Sequence, residues 1–424
     1  MAKKWIKNFD ELAITENRKL ALDIAEAGLE SINTEVVIFN SIKLQNNILS
    51  IMEKSFDLSK FKKIKVVGFG KASIDAAVAL EKILGSKIKE GAVIGLQKVS
   101  IDYIETFAGT HPRPSQINID AGERIYEIIK DGSEEDLIIV LVSGGGSALL
   151  CYSESECEQN IKLYNGFLKS GKTIAEMNTV RKHLSILKGG GLAKIAYPAT
   201  VLGLIFSDIP GNHFYDVASG PTYKDKSTIA DAQKIISKYD LGKFDLLETP
   251  KEDKYFEKVH NFVLVSNKTA ALAMAKKSEE FGLRANIIGT EMYDEVSVAL
   301  KKIFKNKSDN TVVLAAGEPM LEVTKKGGSG GRSLYMGLRA IQMGLIDENS
   351  VLIPLASDGM DNSDAAGAVV DKKTSEKIEK SGLNVDDYLD RFDVYPVFQK
   401  SHDMIMTGPT GANVSDLMIL LTKK

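Results

Sequence analysis

The run Asp136-Leu-Ile-Ile-Val-Leu-Val142 restricts the fold more than any other stretch of the chain. A strand with no polar face must be covered on both sides, and a parallel sheet between helices does this. The run ends in Ser143-Gly144-Gly145-Gly146-Ser147, and the same succession of apolar strand, tight turn and helix recurs. Ile64-Lys65-Val66-Val67 leads into Gly68-Phe69-Gly70-Lys71-Ala72-Ser73 and an Ala-rich helix, residues 91–96 form a further strand, and residues 199–206 end in Ser207-Asp208. In the second half, residues 262–265 lead to Ser266-Asn267-Lys268, residues 311–315 to Ala316-Gly317-Glu318, and residues 351–356 to Ser357-Asp358-Gly359. Such alternation specifies an α/β chain.

A chain of 424 residues exceeds what one core usually serves, so two domains are expected. The charged, strand-poor region 224–258 is the expected boundary, giving domains over 1–245 and 255–424. The helical spacing of Leu22, Ala25, Leu29 and Ile32 predicts a helix over residues 17–54, and a second is predicted over 120–130. The net charge of −3 gives no support for nucleic-acid binding. No apolar run reaches the roughly 18 residues of a membrane span, and the start lacks a signal peptide's apolar segment. A cytoplasmic enzyme is the expectation. Cys151 and Cys157 have no companions for a zinc site and read as buried thiols without a role.

The block 178–222 carries the densest chemistry. Arg181, Lys182, His183 and Lys188 precede an apolar strand that delivers Asp208 into a Gly/Pro loop. The carboxyl ends of strands are where open α/β sheets bind ligands. The cations point to an anionic substrate, with Arg181 or Lys182 clamping its carboxylate. Gly68-x-Gly70-Lys71-x-Ser73 lets the backbone approach an anion, yet Ser73 replaces the third glycine of a dinucleotide fingerprint and the Walker spacing is absent. Alone, it also reads as a tight turn with a solvated lysine. Gly144, Gly145 and Gly146, flanked by Ser143 and Ser147, can aim N–H groups at phosphate oxygens.

Gly327-Gly328-Ser329-Gly330-Gly331-Arg332 either presents a guanidinium to a phosphoryl group or a carboxylate, or is a mobile surface loop. Asp208, Asp358 and Asp361 each suit Mg²⁺ binding or proton acceptance, or else cap a turn. Residues 407–413 read as a β-turn, and His111, His183 and His213 fall beside loops with no Ser/His/Asp arrangement.

Taken in order, V-V-G-F-G-K-A-S, H-P-R-P, S-G-G-G-S-A-L-L, N-T-V-R-K-H-L-S, S-D-I-P-G, G-G-S-G-G-R, S-D-G-M-D and T-G-P-T-G-A-N-V resemble the glycerate 2-kinases of the MOFRL family, over roughly residues 60–420. The resemblance implies a Rossmann-like parallel-sheet N-terminal domain, a smaller α/β C-terminal MOFRL domain, and an active site in the cleft between them. It implies ATP- and Mg²⁺-dependent phosphorylation of D-glycerate to 2-phosphoglycerate, with the family's lysine at Lys71 and its arginine at Arg332. Asp208 joins these two as the expected third catalytic residue, and Asp208 and Asp358 are the expected metal ligands. Gly68, Gly70, Ser143, Gly144, Gly145, Gly146, Ser147 and Asn267 are the expected nucleotide contacts, and Arg181, Lys182 and Asp358 the substrate contacts.

The chain also departs from the family pattern. Asn212-His213 stand where the family carries an acidic pair, Ser333 replaces Asn, and Ala412 replaces Thr. Three other readings stay open: a hydroxypyruvate reductase using the Gly68 turn for a dinucleotide, a kinase of another small sugar acid, and a metabolite-binding protein without turnover. A homodimer is compatible with the kinase reading.

Overall fold

The computed structural model describes residues 4–170, 174–324 and 326–424. The chain divides into two compact units, one of residues 34–209 and 213–264, the other of residues 1–33, 210–212 and 265–424. A single cut near residues 245–255 therefore does not reproduce the division, because the first 33 residues belong with the C-terminal unit.

After the helix Thr34–Ser41, the first unit forms a small antiparallel sheet of β1 (Ile42–Gln45), β2 (Ile48–Ile51) and β3 (Lys54–Asp57). The helix predicted over 17–54 is thus broken into Glu16–Ile32 and Thr34–Ser41, followed by a hairpin. Asn46 turns the chain at φ 56°, a left-handed conformation that Asn tolerates, and Leu49 and Ile51 then alternate into the core. Local turn chemistry overrides the helical spacing there.

Six strands follow: β4 (Lys63–Phe69), β5 (Ile88–Gly95), β6 (Glu105–Ala108), β7 (Asp136–Ser143), β8 (Thr200–Phe206) and β9 (Val259–Val265). Their order across the sheet is β6-β5-β4-β7-β8-β9. β4 runs parallel to both β5 and β7, and the β5–β6 and β7–β8 pairs are parallel too. β7 is buried at every position, as its composition requires. Helix Gln116–Ile129 places Ala121, Ile125, Ile128 and Ile129 in one core with Val67, Phe69, Ile138 and Val140, alternate residues of two neighbouring strands. Numbered from β4, the order is 3-2-1-4-5-6, the Rossmann-like arrangement, and the strand order reverses between β4 and β7.

The second unit holds a mixed sheet of β10 (Arg284–Met292), β11 (Thr311–Gly317), β12 (Ser350–Ala356), β13 (Gly367–Ala368), β14 (Met404–Ile405) and β15 (Asp416–Thr422), in the order β10-β11-β15-β12-β13-β14. β15 is antiparallel to both neighbours, so its first residue, Asp416, lies opposite Gly317 at the end of β11 and Ala356 at the end of β12. Helix Glu16–Ile32 belongs to this unit. It approaches helix Asn267–Glu280 closely at Gly28, where a Cβ would lie 2.9 Å from Met274 Cγ. The Arg18 guanidinium, fully buried, donates to both oxygens of Asp371 at 2.7 and 2.6 Å and to Asp403 at 2.7 Å. Among the described residues no helix is long and apolar enough to cross a membrane. Cys151 and Cys157, expected as thiols, are joined in a disulfide.

Candidate active site

In a sheet of this order the crevice for ligands opens at the carboxyl ends of the two strands where the order reverses. Here those ends are Phe69 of β4 and Ser143 of β7. Gly70, at φ 127°, brings the two turns together: a Cβ there would lie 2.2 Å from Ser143 Oγ. The Lys71 N–H then donates to the Gly144 carbonyl at 2.9 Å, and the Ala72 N–H to Ser143 Oγ at 3.1 Å. Ser73 Oγ lies 3.0 Å from Ser143 Oγ. Ser143 and Ser73 thus clasp two loops from inside. Gly68 serves strand packing, since a Cβ there would lie 2.8 Å from Leu141 Cβ, and Ser147 Oγ is 2.8 Å from Ser219 Oγ.

The open face of this junction belongs to other residues. A Cβ on Gly145 would lie 3.1 Å from Lys71 Cγ and 3.3 Å from His111 Nε2. One on Gly144 would lie 1.9 Å from Asp208 Oδ2, so the carboxylate rests directly on the glycine backbone. Lys71, His111 and Asp208 therefore gather around Gly144 and Gly145, with Lys71 itself exposed. His111 is held there by buried Asn118, whose Oδ1 accepts the Thr110 and Ser115 N–H groups at 3.0 Å each and whose Nδ2 donates to Leu149 O at 3.2 Å. The His111 side chain is exposed, yet the atoms packed around it, then the Lys71 and Arg181 charges, push the imidazole down to about 4, which favours its neutral form at pH 7.

Arg181 and Lys182 end the helix Ile174–Lys182, and the structure separates their roles. Lys182 Nζ lies 2.8 Å from Asp216 and 3.4 Å from Asp225, in a network that already neutralises it. Arg181 is 7% exposed, its Nε has no hydrogen-bond partner, and no carboxylate pairs with it among the described residues. Burial pushes its guanidinium down to about 10. An unneutralised buried cation is costly, and such groups normally have a partner. Lys188 and His183, also expected near an anion, are fully buried and committed elsewhere: Lys188 to Glu156 and the Leu150 carbonyl, His183 to Leu247 O and Ser227. His213 is exposed beside Tyr215.

The mixed-sheet unit presents a second cluster where β11 and β12 end and β15 begins. Arg332 opens helix Arg332–Gln342, and its Nε donates to Asp416 Oδ2. Asp361 accepts the N–H groups of Gly331, Ser333 and Leu334 at 3.1, 3.0 and 2.7 Å. It is the cap of the Arg332 helix, supplied from a distant loop. Asp358 is half-buried and accepts the Met360 N–H at 3.0 Å, while its carbonyl takes the Thr410 N–H of the 407–413 turn. The glycine segment is pinned rather than mobile: Gly328 N–H donates to Phe392 O at 3.0 Å, and Ser329 N–H to Asp393 at 2.9 Å. Asn267 is buried and donates to Thr290 O at 2.7 Å and Ser415 Oγ at 3.4 Å, supporting the residue before Asp416.

Burial pushes the Asp416 carboxyl up to about 7, with Arg332 opposing and Asp361 and Glu318 adding to the rise. Burial also works against the Arg332 charge, but Asp416, Glu318 and Asp361 outweigh it and hold the guanidinium above its ordinary value. Arg332 keeps its proton, and Asp416 is the partner that titrates. Sequence reasoning missed both Asp416 and Asn118. The signal for the first was an acid at the head of the apolar run D-L-M-I-L-L. Among the described residues no three His, Cys, Asp or Glu side chains gather as a metal site.

Two family profiles match the chain, and the first begins inside the helix Glu16–Ile32 that packs in the mixed-sheet unit. The profile of a domain of unknown function, DUF4147, matches residues 20–248, and that of the MOFRL family matches residues 311–416. A glycerate 2-kinase of Pyrococcus horikoshii is 31% identical over 95% of this chain and 98% of its own. A protein of Agrobacterium vitis, provisionally named a hydroxypyruvate reductase, is 33% identical over 84% of this chain and 86% of its own. The crystal structure of glycerate kinase from Thermotoga maritima superposes with a TM-score of 0.84 and 31% identity, covering 95% of this chain and 99% of that one. With its Rossmann-like sheet, its mixed sheet and near full-length relatives, the chain belongs to the MOFRL family of glycerate 2-kinases.

Proposed function

We propose that this protein transfers the γ-phosphoryl group of ATP to the 2-hydroxyl of D-glycerate, forming 2-phosphoglycerate in a Mg²⁺-dependent, cytoplasmic reaction. The observation that carries the reading is Arg181, a buried guanidinium with no carboxylate paired to it among the described residues, whose charge is felt at His111 beside Lys71. Such a group is satisfied by an anionic ligand, and the carboxylate of a small hydroxy acid supplies two oxygens to its fork. Lys182, engaged with Asp216 and Asp225, leaves this role to Arg181.

Lys71 and the backbone at Gly144–Gly145 then serve the nucleotide phosphates. The N–H groups of Gly146 and Ser147, at the start of the short helix Gly146–Leu149, have no acceptor within it. His111, uncharged at neutral pH, offers a nitrogen to the substrate hydroxyl. Arg332, oriented by Asp416, offsets charge on the transferring group. Asp208 fits a magnesium ligand: Mg²⁺ needs only one or two carboxylates besides phosphate oxygens and water, and this carboxylate rests on the glycine turn. Asp358 is the second candidate. When bound, the ion draws charge from the phosphate oxygens.

Reduction of hydroxypyruvate with a dinucleotide is the second reading, favoured by the Rossmann-like strand order. Against it, Ser73 occupies the third glycine position of the fingerprint and is locked onto Ser143. Paired assays separate the two. ADP release with D-glycerate, ATP and Mg²⁺, suppressed by EDTA, supports the kinase. NADH oxidation with hydroxypyruvate and no ADP release overturns it, and ADP release only with longer sugar acids corrects the substrate.

A further inference from the structure

The glycine segment before Arg332 borders a cavity of about 400 Å³ in the mixed-sheet unit, whose other lining residues have no role above. Leu321, Val323, Tyr335, Phe392 and Val394 supply its apolar lining, and Arg332 and Asn362 its polar side chains. The Tyr335 and Phe392 rings are stacked, 5.8 Å apart and 21° from parallel. Val323 is 52% exposed, so part of this apolar lining is left open to water near the Arg332 charge. The walls are built rather than incidental: Phe392 O accepts the Gly328 N–H, Tyr395 N–H donates to Ser329 O at 3.0 Å, and Gly330 is pressed against Val394.

Glycerate has three carbons, each bearing oxygen, and gains nothing from an aromatic wall. A flat, apolar-faced heterocycle carrying a polyanionic tail matches this lining, because the rings and aliphatic side chains take its faces while Arg332 takes the tail. The volume falls in the range of small-molecule and cofactor sites. We infer that this cavity holds the base of the nucleotide donor, with its phosphates directed toward Arg332. The inference rests on the kinase reading for its ligand and adds where the nucleoside is recognised.

Gly327 provides the test. A Cβ there would make ordinary contacts, 3.4 Å from Phe392 Cβ and 3.6 Å from Val323 Cγ1, and its backbone is not in the left-handed region. Gly327→Leu therefore fills the cavity without straining the chain, and Tyr335→Ala removes one wall. Binding of ADP, adenosine and inorganic triphosphate to the full-length protein is measured by calorimetry, alongside KM for ATP and for D-glycerate. Gly327→Leu is expected to weaken ADP and adenosine at least tenfold, with triphosphate binding and the D-glycerate KM changed less than twofold. Tyr335→Ala weakens the same two ligands.

ADP affinity and ATP KM within twofold of wild type in both variants overturn the assignment, as does a wild-type protein that binds triphosphate but not adenosine. Wild-type protein that binds ADP in a Gly327-sensitive manner yet does not phosphorylate D-glycerate sustains the base site and refutes the proposed reaction instead.

Discussion

Replacing Arg181 with Met should make the ligand-free protein more stable and the enzyme inactive. Burial drops the guanidinium from its ordinary value near 12.5 to about 10. A fall of about 2.5 at about 1.4 kcal/mol each means the folded state carries roughly 3 kcal/mol for keeping this charge. The sign follows from linkage: the unfolded chain binds the proton more tightly, so the cost is present at every pH below about 10 and declines only above it. Methionine fills similar space without the charge, and part of the gain is lost to imperfect packing, leaving about 1–2 kcal/mol. For a unit of this size that is roughly 2–8 °C in its unfolding transition.

The assay is thermal unfolding of both proteins at pH 7.5, with and without D-glycerate. Wild type should gain stability from the ligand, and the variant should begin higher and gain nothing. A variant less stable than ligand-free wild type by 2 kcal/mol or more would refute the reasoning, since Arg181 would then be structurally paired.

Lys71→Ala should lower kcat/KM by roughly 10²–10³ with unfolding unchanged, because the side chain is exposed; a kcat/KM within about fivefold of wild type would remove Lys71 from the site. Asp361→Ala strips three N–H groups of their acceptor and should cost about 1–2 kcal/mol in urea unfolding and reduce kcat, whereas Asp364→Ala, at an exposed side chain three residues on, should do neither. The Asp416 carboxyl sits above its unfolded value near 4, so the stability it contributes is complete below about pH 4 and lost as pH rises to about 7. Asp416→Asn should flatten the pH dependence of unfolding between pH 5 and 8 and lower kcat more than substrate affinity; an unchanged slope would contradict the burial argument.

The parts of the fold carried by single stretches of sequence were legible. β4, β7, β8, β11 and β12 are apolar runs that need a covered sheet, and each appears within a few residues of its expected span. The crossing order of strands was not legible, because pairing depends on distant segments, and it is this order that makes the Lys71 and Gly144 turns neighbours. Block 178–222 shows the same limit at the level of side chains. Arg181 and Lys182 are adjacent in sequence but about 100° apart around their helix, so one meets Asp216 and Asp225 while the other has no such partner. Asp416 escaped notice because a parallel-sheet reading looks for acids at strand ends, whereas β15 runs antiparallel and brings its first residue to that edge. Asp361 looked like a candidate ligand only because its helix lies far away in sequence.

³¹P NMR of the products formed from ATP, Mg²⁺ and D-glycerate tests the central claim most directly. The account predicts growth of a 2-phosphoglycerate resonance matched by ADP, slowed by roughly 10²–10³ with Lys71→Ala and absent with Arg181→Met. A 3-phosphoglycerate resonance would contradict the assigned hydroxyl, and unchanged ATP with folded wild-type protein would contradict the kinase reading itself.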